Sequence, residues 1–195
     1  MPTHDPKDSR SSAPPVRAIF LVGFMGAGKT SVGKVLGRRL GWPFEDLDDR
    51  IQARERRSIE QIFRQSGEAA FRQSETAALH EMLDEVDASR RVIALGGGAF
   101  VQAENAALLQ RQDVVTVFLD GPVEELFRRC HEQQLDRPLR ASLEQFEQLH
   151  QLRLPLYRKA AVRIETGGKD IEAVASEVSR ILQIRQLDSG VGRNA

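Results

Sequence analysis

The sequence predicts an α/β fold: a three-layer sandwich in which helices flank both faces of a five-stranded parallel sheet. Two observations carry that prediction. Short apolar runs, continuous enough to be buried on both faces, alternate with stretches whose apolar residues recur three or four positions apart. A glycine-rich segment also stands between the first apolar run and the first helical pattern, which is where parallel α/β sheets place a ligand-binding turn.

The strands are read in order as "VRAIFLV" (16–22), the short "WPFED" (42–46), "RVIAL" (91–95), "VVTVFL" (114–119) and the weaker "AVRIE" (161–165). Helical periodicity marks residues 30–40, 49–85, 101–111, 121–131, 142–158 and 170–186. In the first of these, Val32, Val35, Leu36 and Leu40 share a face, while Lys34, Arg38 and Arg39 lie on the solvent side. Parallel neighbours require right-handed crossovers, which these helices supply. "HEQQLDRPLR" (131–140) has few core-type residues, and we read it as a mobile surface segment that closes as a lid over about 131–142.

The chain has 195 residues, enough for one well-cored domain, expected over 16–186. Residues 1–15, rich in Pro, Ser and charge, and residues 187–195 are expected to be loose tails. Lys plus Arg and Asp plus Glu number 28 each, so no overall field favours nucleic acid or a membrane surface as partner. The single cysteine, Cys130, excludes an internal disulfide framework and a cysteine-based zinc cluster. With no apolar leader core and no stretch approaching a membrane span, a cytoplasmic, monomeric protein is expected.

"GFMGAGKT" (23–30) fills G-x-x-x-x-G-K-[ST] with Gly23, Gly28, Lys29 and Thr30. Glycines let the backbone wrap an anion, and amides of the loop and the helix N-terminus point at it. Lys29 adds a full positive charge near the outer phosphates, and the Thr30 hydroxyl can ligate magnesium. Nucleotide binding follows, because a mere strand-to-helix turn needs neither the lysine nor the spacing.

Residues for a phosphate acceptor follow along the chain. Asp46 and Asp48 alternate at the end of the second strand, so on an extended chain both would point to one side. One would reach a magnesium shell and the other a substrate hydroxyl, the alternative being a solvated acidic loop that caps the next helix. Phe71 and Arg72 follow a glycine on a helix, and "ALGGGAF" puts three glycines straight after a strand, where backbone can approach a small ligand closely. Arg128, Arg129, Arg137 and Arg153 offer forks that match carboxylate or phosphate oxygens. Arg137, in the lid segment, is suited to stabilising charge on a transferring phosphoryl group. Asp120, ending "VVTVFLD", fits either the magnesium residue of a mechanical ATPase or, preferably, an N-terminal cap for the helix beginning near Pro122.

"GFMGAGKT", "FEDLD", "FR", "GGGA", "RPL" and "RLPLY", in this order, closely resemble shikimate kinase, over about residues 17–182. The resemblance implies a P-loop NTPase fold of the nucleoside monophosphate kinase type with strand order 2-3-1-4-5, and a substrate-binding helical region over about 46–80. It implies transfer of the ATP γ-phosphate to the 3-hydroxyl of shikimate, giving 3-phosphoshikimate and ADP on the route to chorismate, with Mg2+ as cofactor. Matched residue by residue, Asp48 would hold the shikimate hydroxyls, Arg72 and Arg153 its carboxylate, and Gly97 would offer a backbone amide. Gly26, Ala27, Gly28, Lys29, Thr30 and Ser31 would cradle the nucleotide, with Lys29 and Arg137 on its phosphates. Arg129, or alternatively Arg128, would lie against adenine, and Thr30 with Asp46 would serve the magnesium. Lys29, Asp48 and Arg137 would be catalytic, Asp48 also as a possible acceptor of the hydroxyl proton. Two positions depart from the usual family pattern, Gln52 and Arg140. The rivals are a gluconate-type kinase, a nucleoside monophosphate kinase and an assembly ATPase built on Asp120.

Overall fold

The computed structural model describes residues 16–132 and 142–182. Five strands, β1 (Ala18–Val22), β2 (Phe44–Asp46), β3 (Arg91–Ala94), β4 (Val114–Asp120) and β5 (Val162–Glu165), form one sheet in the order β2-β3-β1-β4-β5. Every pairing is parallel, with Phe20 opposite Ile93 on one side and Thr116 on the other. Position in the sheet explains each strand's composition. All five residues of β1 and all four of β3 are buried, so both can be apolar runs, whereas the edge strand β5 buries only Ile164. Arg91, which opens β3, is the charged exception.

Among the described residues seven helices flank the sheet: α1 (Lys29–Leu40), α2 (Leu47–Glu55), α3 (Ile59–Val86), α4 (Ala103–Leu108), α5 (Val123–Glu132), α6 (Leu143–Tyr157) and α7 (Ile171–Ile181). The expected helix over 49–85 is divided. Arg56 adopts a left-handed conformation (φ 52°) that ends α2, Ser58 and Gln61 form a reciprocal capping box that starts α3, and Gly67 (φ 79°, ψ 175°) breaks α3 internally. The helix read over 101–111 is shorter, Ala103–Leu108. Residues 1–15 and 187–195 lie outside the described residues, as does most of the expected lid.

Close packing of α1 on β2 depends on glycine. A Cβ at Gly33 would stand 2.2 Å from the Phe44 ring, and one at Gly37 would stand 2.9 Å from the Trp42 carbonyl oxygen. The helix therefore lies closer to the strand than any side chain would allow. Gly41 (φ 65°) then closes α1, with its N–H donating to Arg38 and that of Trp42 to Gly37. This brings the end of β2 beside the start of α1.

Candidate active site

The carboxyl ends of β1, β2 and β3 open into one cleft, lined by Met25, Gly26, Gly28, Lys29, Thr30, Ser31, Asp46, Asp48, Leu95, Gly96 and Gly97. Open α/β sheets bind ligands at this end, where connections diverge to opposite sides.

On one wall stands the glycine loop. Gly26 and Gly28 have φ of 79° and 82°, and a Cβ on Gly26 would strike the Leu126 carbonyl oxygen at 2.4 Å, so α5 fixes the back of the loop. A Cβ on Gly28 would meet nothing within 4 Å, which is what a backbone facing a ligand requires. Lys29 Nζ donates to the carbonyl oxygens of Gly23 (2.9 Å) and Phe24 (3.0 Å), which hold the ammonium across the loop.

Thr30 Oγ1 donates to Asp46 Oδ2 at 2.7 Å, and Asp46 Oδ1 accepts from the Asp48 N–H at 3.0 Å. Asp46 is therefore the N-cap of α2, and Asp48 lies in the first helical turn. The alternation reading fails here: the strand stops at Asp46, and a cap, not an extended chain, carries Asp48 to the cleft. Both carboxylates reach it nonetheless. A hydroxyl hydrogen-bonded to a carboxylate is a donor set that fits Mg2+, which takes one or two protein oxygens and completes its shell with water and phosphate. Among the described residues no group of three or more His, Cys, Asp or Glu is placed to hold a metal without such partners.

The opposite wall is the turn Gly96–Gly98. A Cβ on Gly96 would meet Asp48 Oδ1 at 2.6 Å, and one on Gly98 would meet Arg72 Nη1 at 2.6 Å, so both side chains lie directly on bare backbone. Arg72 Nη1 donates to Glu75 Oε2 (2.9 Å), its Nη2 donates to Glu68 Oε1 (3.2 Å), and its guanidinium lies 5.1 Å from the Phe71 ring centre. Glu75 is only 1% exposed, and burial pushes its carboxyl up against the downward pull of Arg72. From α6, Arg153 Nη1 donates to the Gly97 carbonyl (3.4 Å), and Tyr157 donates its hydroxyl proton to the same oxygen. Burial raises the Tyr157 phenol to about 12, so it remains a donor at neutral pH.

The expected residues thus separate. Gly26, Gly28, Lys29, Thr30, Ser31, Asp46, Asp48 and Gly97 share the cleft, Ala27 is buried behind it, and Arg72 and Arg153 brace the glycine turn. On α5, Arg129 pairs with Glu125 and Arg128 with Glu132 at 2.9 Å. Arg137 and Arg140 lie outside the described residues. The Asp120 carboxylate accepts from Arg163 Nε at 2.8 Å, tying β4 to β5. No motif singles out Glu75 or Gln102, whose amide donates to Glu75, and Tyr157 enters only as the last residue of "RLPLY". Tyr157 falls four residues after Arg153 on one helix face, and Glu75 three after Arg72, the one spacing signal that pointed to them.

Comparison with known proteins decides among the kinases that share such a cleft. The family model "Shikimate kinase" matches residues 25–183. The chain belongs to the shikimate kinase family. It is accordingly a kinase, a phosphotransferase that uses ATP. A shikimate kinase of Geobacter metallireducens is 41% identical over 181 residues, 91% of this chain and 98% of the relative. One from Caulobacter vibrioides is 43% identical over 158 residues, 78% of this chain and 76% of the relative. The solved shikimate kinase of Acinetobacter baumannii in complex with shikimate superposes with a TM-score of 0.79 at 35% identity, covering 86% of this chain and 94% of that one. Strand order and helix placement agree with the shikimate kinase fold.

Proposed function

We propose that this chain transfers the γ-phosphoryl group of ATP to the 3-hydroxyl of shikimate, giving 3-phosphoshikimate and ADP. The observation that carries this reading is the meeting of two walls: a phosphate loop with Lys29 and Thr30, and a bare glycine turn approached by Asp48, Arg72 and Arg153. Shikimate has one carboxylate and three hydroxyls, which call for guanidinium forks and one hydrogen-bonding carboxylate. In this reading Arg72 and Arg153 bind the carboxylate, Gly97 adds a backbone contact, and Asp48 orients the hydroxyls.

Phosphoryl transfer asks mainly for positioning and charge neutralisation. Gly26 to Ser31 hold the nucleotide phosphates, and Lys29 turns from the Gly23 and Phe24 carbonyls to the charge that develops as the γ-phosphoryl moves. Asp48 accepts the proton of the attacking hydroxyl. Thr30 and Asp46 hold a Mg2+ ion, which when bound neutralises phosphate charge. Arg129 lies against adenine, and residues 16–186 act as one kinase domain with 46–80 as its acceptor region. All these groups come from one chain, in keeping with a monomer, and the demand for ATP suits the cytoplasm.

ADP release from purified protein with Mg-ATP, measured with shikimate, gluconate, nucleoside monophosphates or no acceptor, tests the reading. Stimulation by shikimate alone is expected. Equal ADP without any acceptor would overturn it.

A further inference from the structure

The glycine turn and α3 are joined by the short helix α4. Asn105, fully buried on α4, donates from Nδ2 to the Ala99 carbonyl (3.1 Å) and accepts at Oδ1 from Thr76 Oγ1 of α3 (2.8 Å). The Gln102 N–H donates to that same Ala99 carbonyl at 3.3 Å, so α4, the turn and α3 form one braced unit. At its start the Gln102 side-chain amide donates to Glu75 Oε2, the oxygen that also receives Arg72 Nη1.

We propose that Gln102 is a positioning residue for the acceptor site: it holds the Glu75 carboxylate on which Arg72 rests, and so aims the Arg72 fork at the acceptor's carboxylate. The inference builds on the acceptor reading above. Arg72 has two carboxylate partners of unequal standing, Glu75 being 1% exposed and Glu68 69% exposed at the side chain. An incoming carboxylate displaces the solvated Glu68 and leaves the buried pair intact, because a buried carboxylate deprived of its partner is costly. Glu75 can act as a fixed rest only while its own orientation is fixed, and Gln102 is the second donor to its Oε2. A primary amide suits this place, since it donates a full hydrogen bond without charge. A lysine there would neutralise Glu75 and compete with Arg72 for it. Gln102 itself does not line the cleft, so it acts through Glu75 and Arg72.

Gln102→Met keeps the length and removes the donor, and Gln102→Glu keeps the shape and turns donor into acceptor. Gln102 is only half-buried, so both variants should fold. Steady-state kinetics of the full chain are expected to show KM for shikimate raised roughly tenfold in Gln102→Met and further in Gln102→Glu. KM for ATP and kcat should stay within about twofold. A parallel rise in both KM values, or no change in either, would overturn the proposal. The Arg72 Nη–H resonances, followed by NMR without substrate, should lose the sharp bonded signal of the Nη1 contact to Glu75 in Gln102→Met; an unchanged signal would also overturn it. Failure of the wild-type chain to respond to shikimate would instead refute the acceptor reading, and the resonance would still decide whether Gln102 holds Arg72.

Discussion

Asp48 stands where one carboxylate can both position a hydroxyl and take its proton, and substitution separates the two roles. Asp48→Asn retains shape and hydrogen bonding but not basicity, so kcat is expected to fall by roughly 10²–10⁴-fold with KM for ATP unchanged. Near-normal turnover in the coupled assay would leave Asp48 a positioning role only. Tyr157 makes a simpler case. Tyr157→Phe removes one fully buried hydroxyl from the Gly97 carbonyl, which still receives Arg153, and should cost about 1–1.5 kcal/mol in chemical denaturation. At this scale the sequence was most readable where chemistry restricts residue type. Lys29 and Thr30 follow from the loop motif and Asp46 from its place at the end of the second strand, whereas Glu75 and Gln102 do not, because glutamate and glutamine on a helix are ordinarily solvated.

Elements were legible to the extent that they are buried. The continuous runs of β1, β3 and β4 announce a covered parallel sheet, and the structure has it. The division between α2 and α3 was missed because apolar periodicity runs through it, although "SIEQ" carries a capping-box spelling at Ser58 and Gln61. The glycines of "SVGKVLG" add nothing to the apolar periodicity of α1, yet they set the distance between α1 and β2. Gly37→Ala should force Trp42 backbone and helix apart and cost about 1–3 kcal/mol, visible as a lower Tm. Because Asp46, the proposed magnesium residue, ends that strand, the same variant should weaken Mg2+ binding, read as a higher Mg2+ concentration for half-maximal rate. An unchanged Tm would mean that α1 slides to accommodate the methyl group.

Across the whole molecule, a ring of charges stands at the edge of the sheet that β2 forms. Arg50 and Arg91 each bridge Glu45 and Glu85 there, a four-membered ring joining β2, α2, α3 and β3. Hydrogen bonds from Arg50, then Arg91, hold the Glu85 carboxyl below its ordinary 4.5, and Ser74 with Arg57 does the same for Glu55. Carboxyls depressed in the folded state stabilise above about pH 4.5 and lose that contribution as pH falls through their folded values. His150, packed edge-on against Phe24 of the phosphate loop, is depressed below its ordinary 6.5 mainly by burial, so its protonation also favours the unfolded chain. These groups should make the unfolding free energy decline in two stages, beginning near pH 6.5 and steepening below about 4.5, against the opposite contribution of the buried Glu75 carboxyl, which is raised and takes up its proton more readily in the folded chain. His150→Gln should remove the first stage in a denaturation series across pH. In the sequence Glu45 and Arg91 stand far apart; the parallel pairing of β2 with β3 brings them together.

The parallel sheet also gives the molecule a front and a back. All five strands point their carboxyl ends toward the nucleotide and acceptor, so the turn at 87–90, just before β3, is on the far side. A linker chemically attached at Ser89 would anchor the enzyme to a bead or electrode with its mouth facing the solution. Turnover on such a support would then be limited by diffusion into the matrix rather than by the way each molecule happened to land.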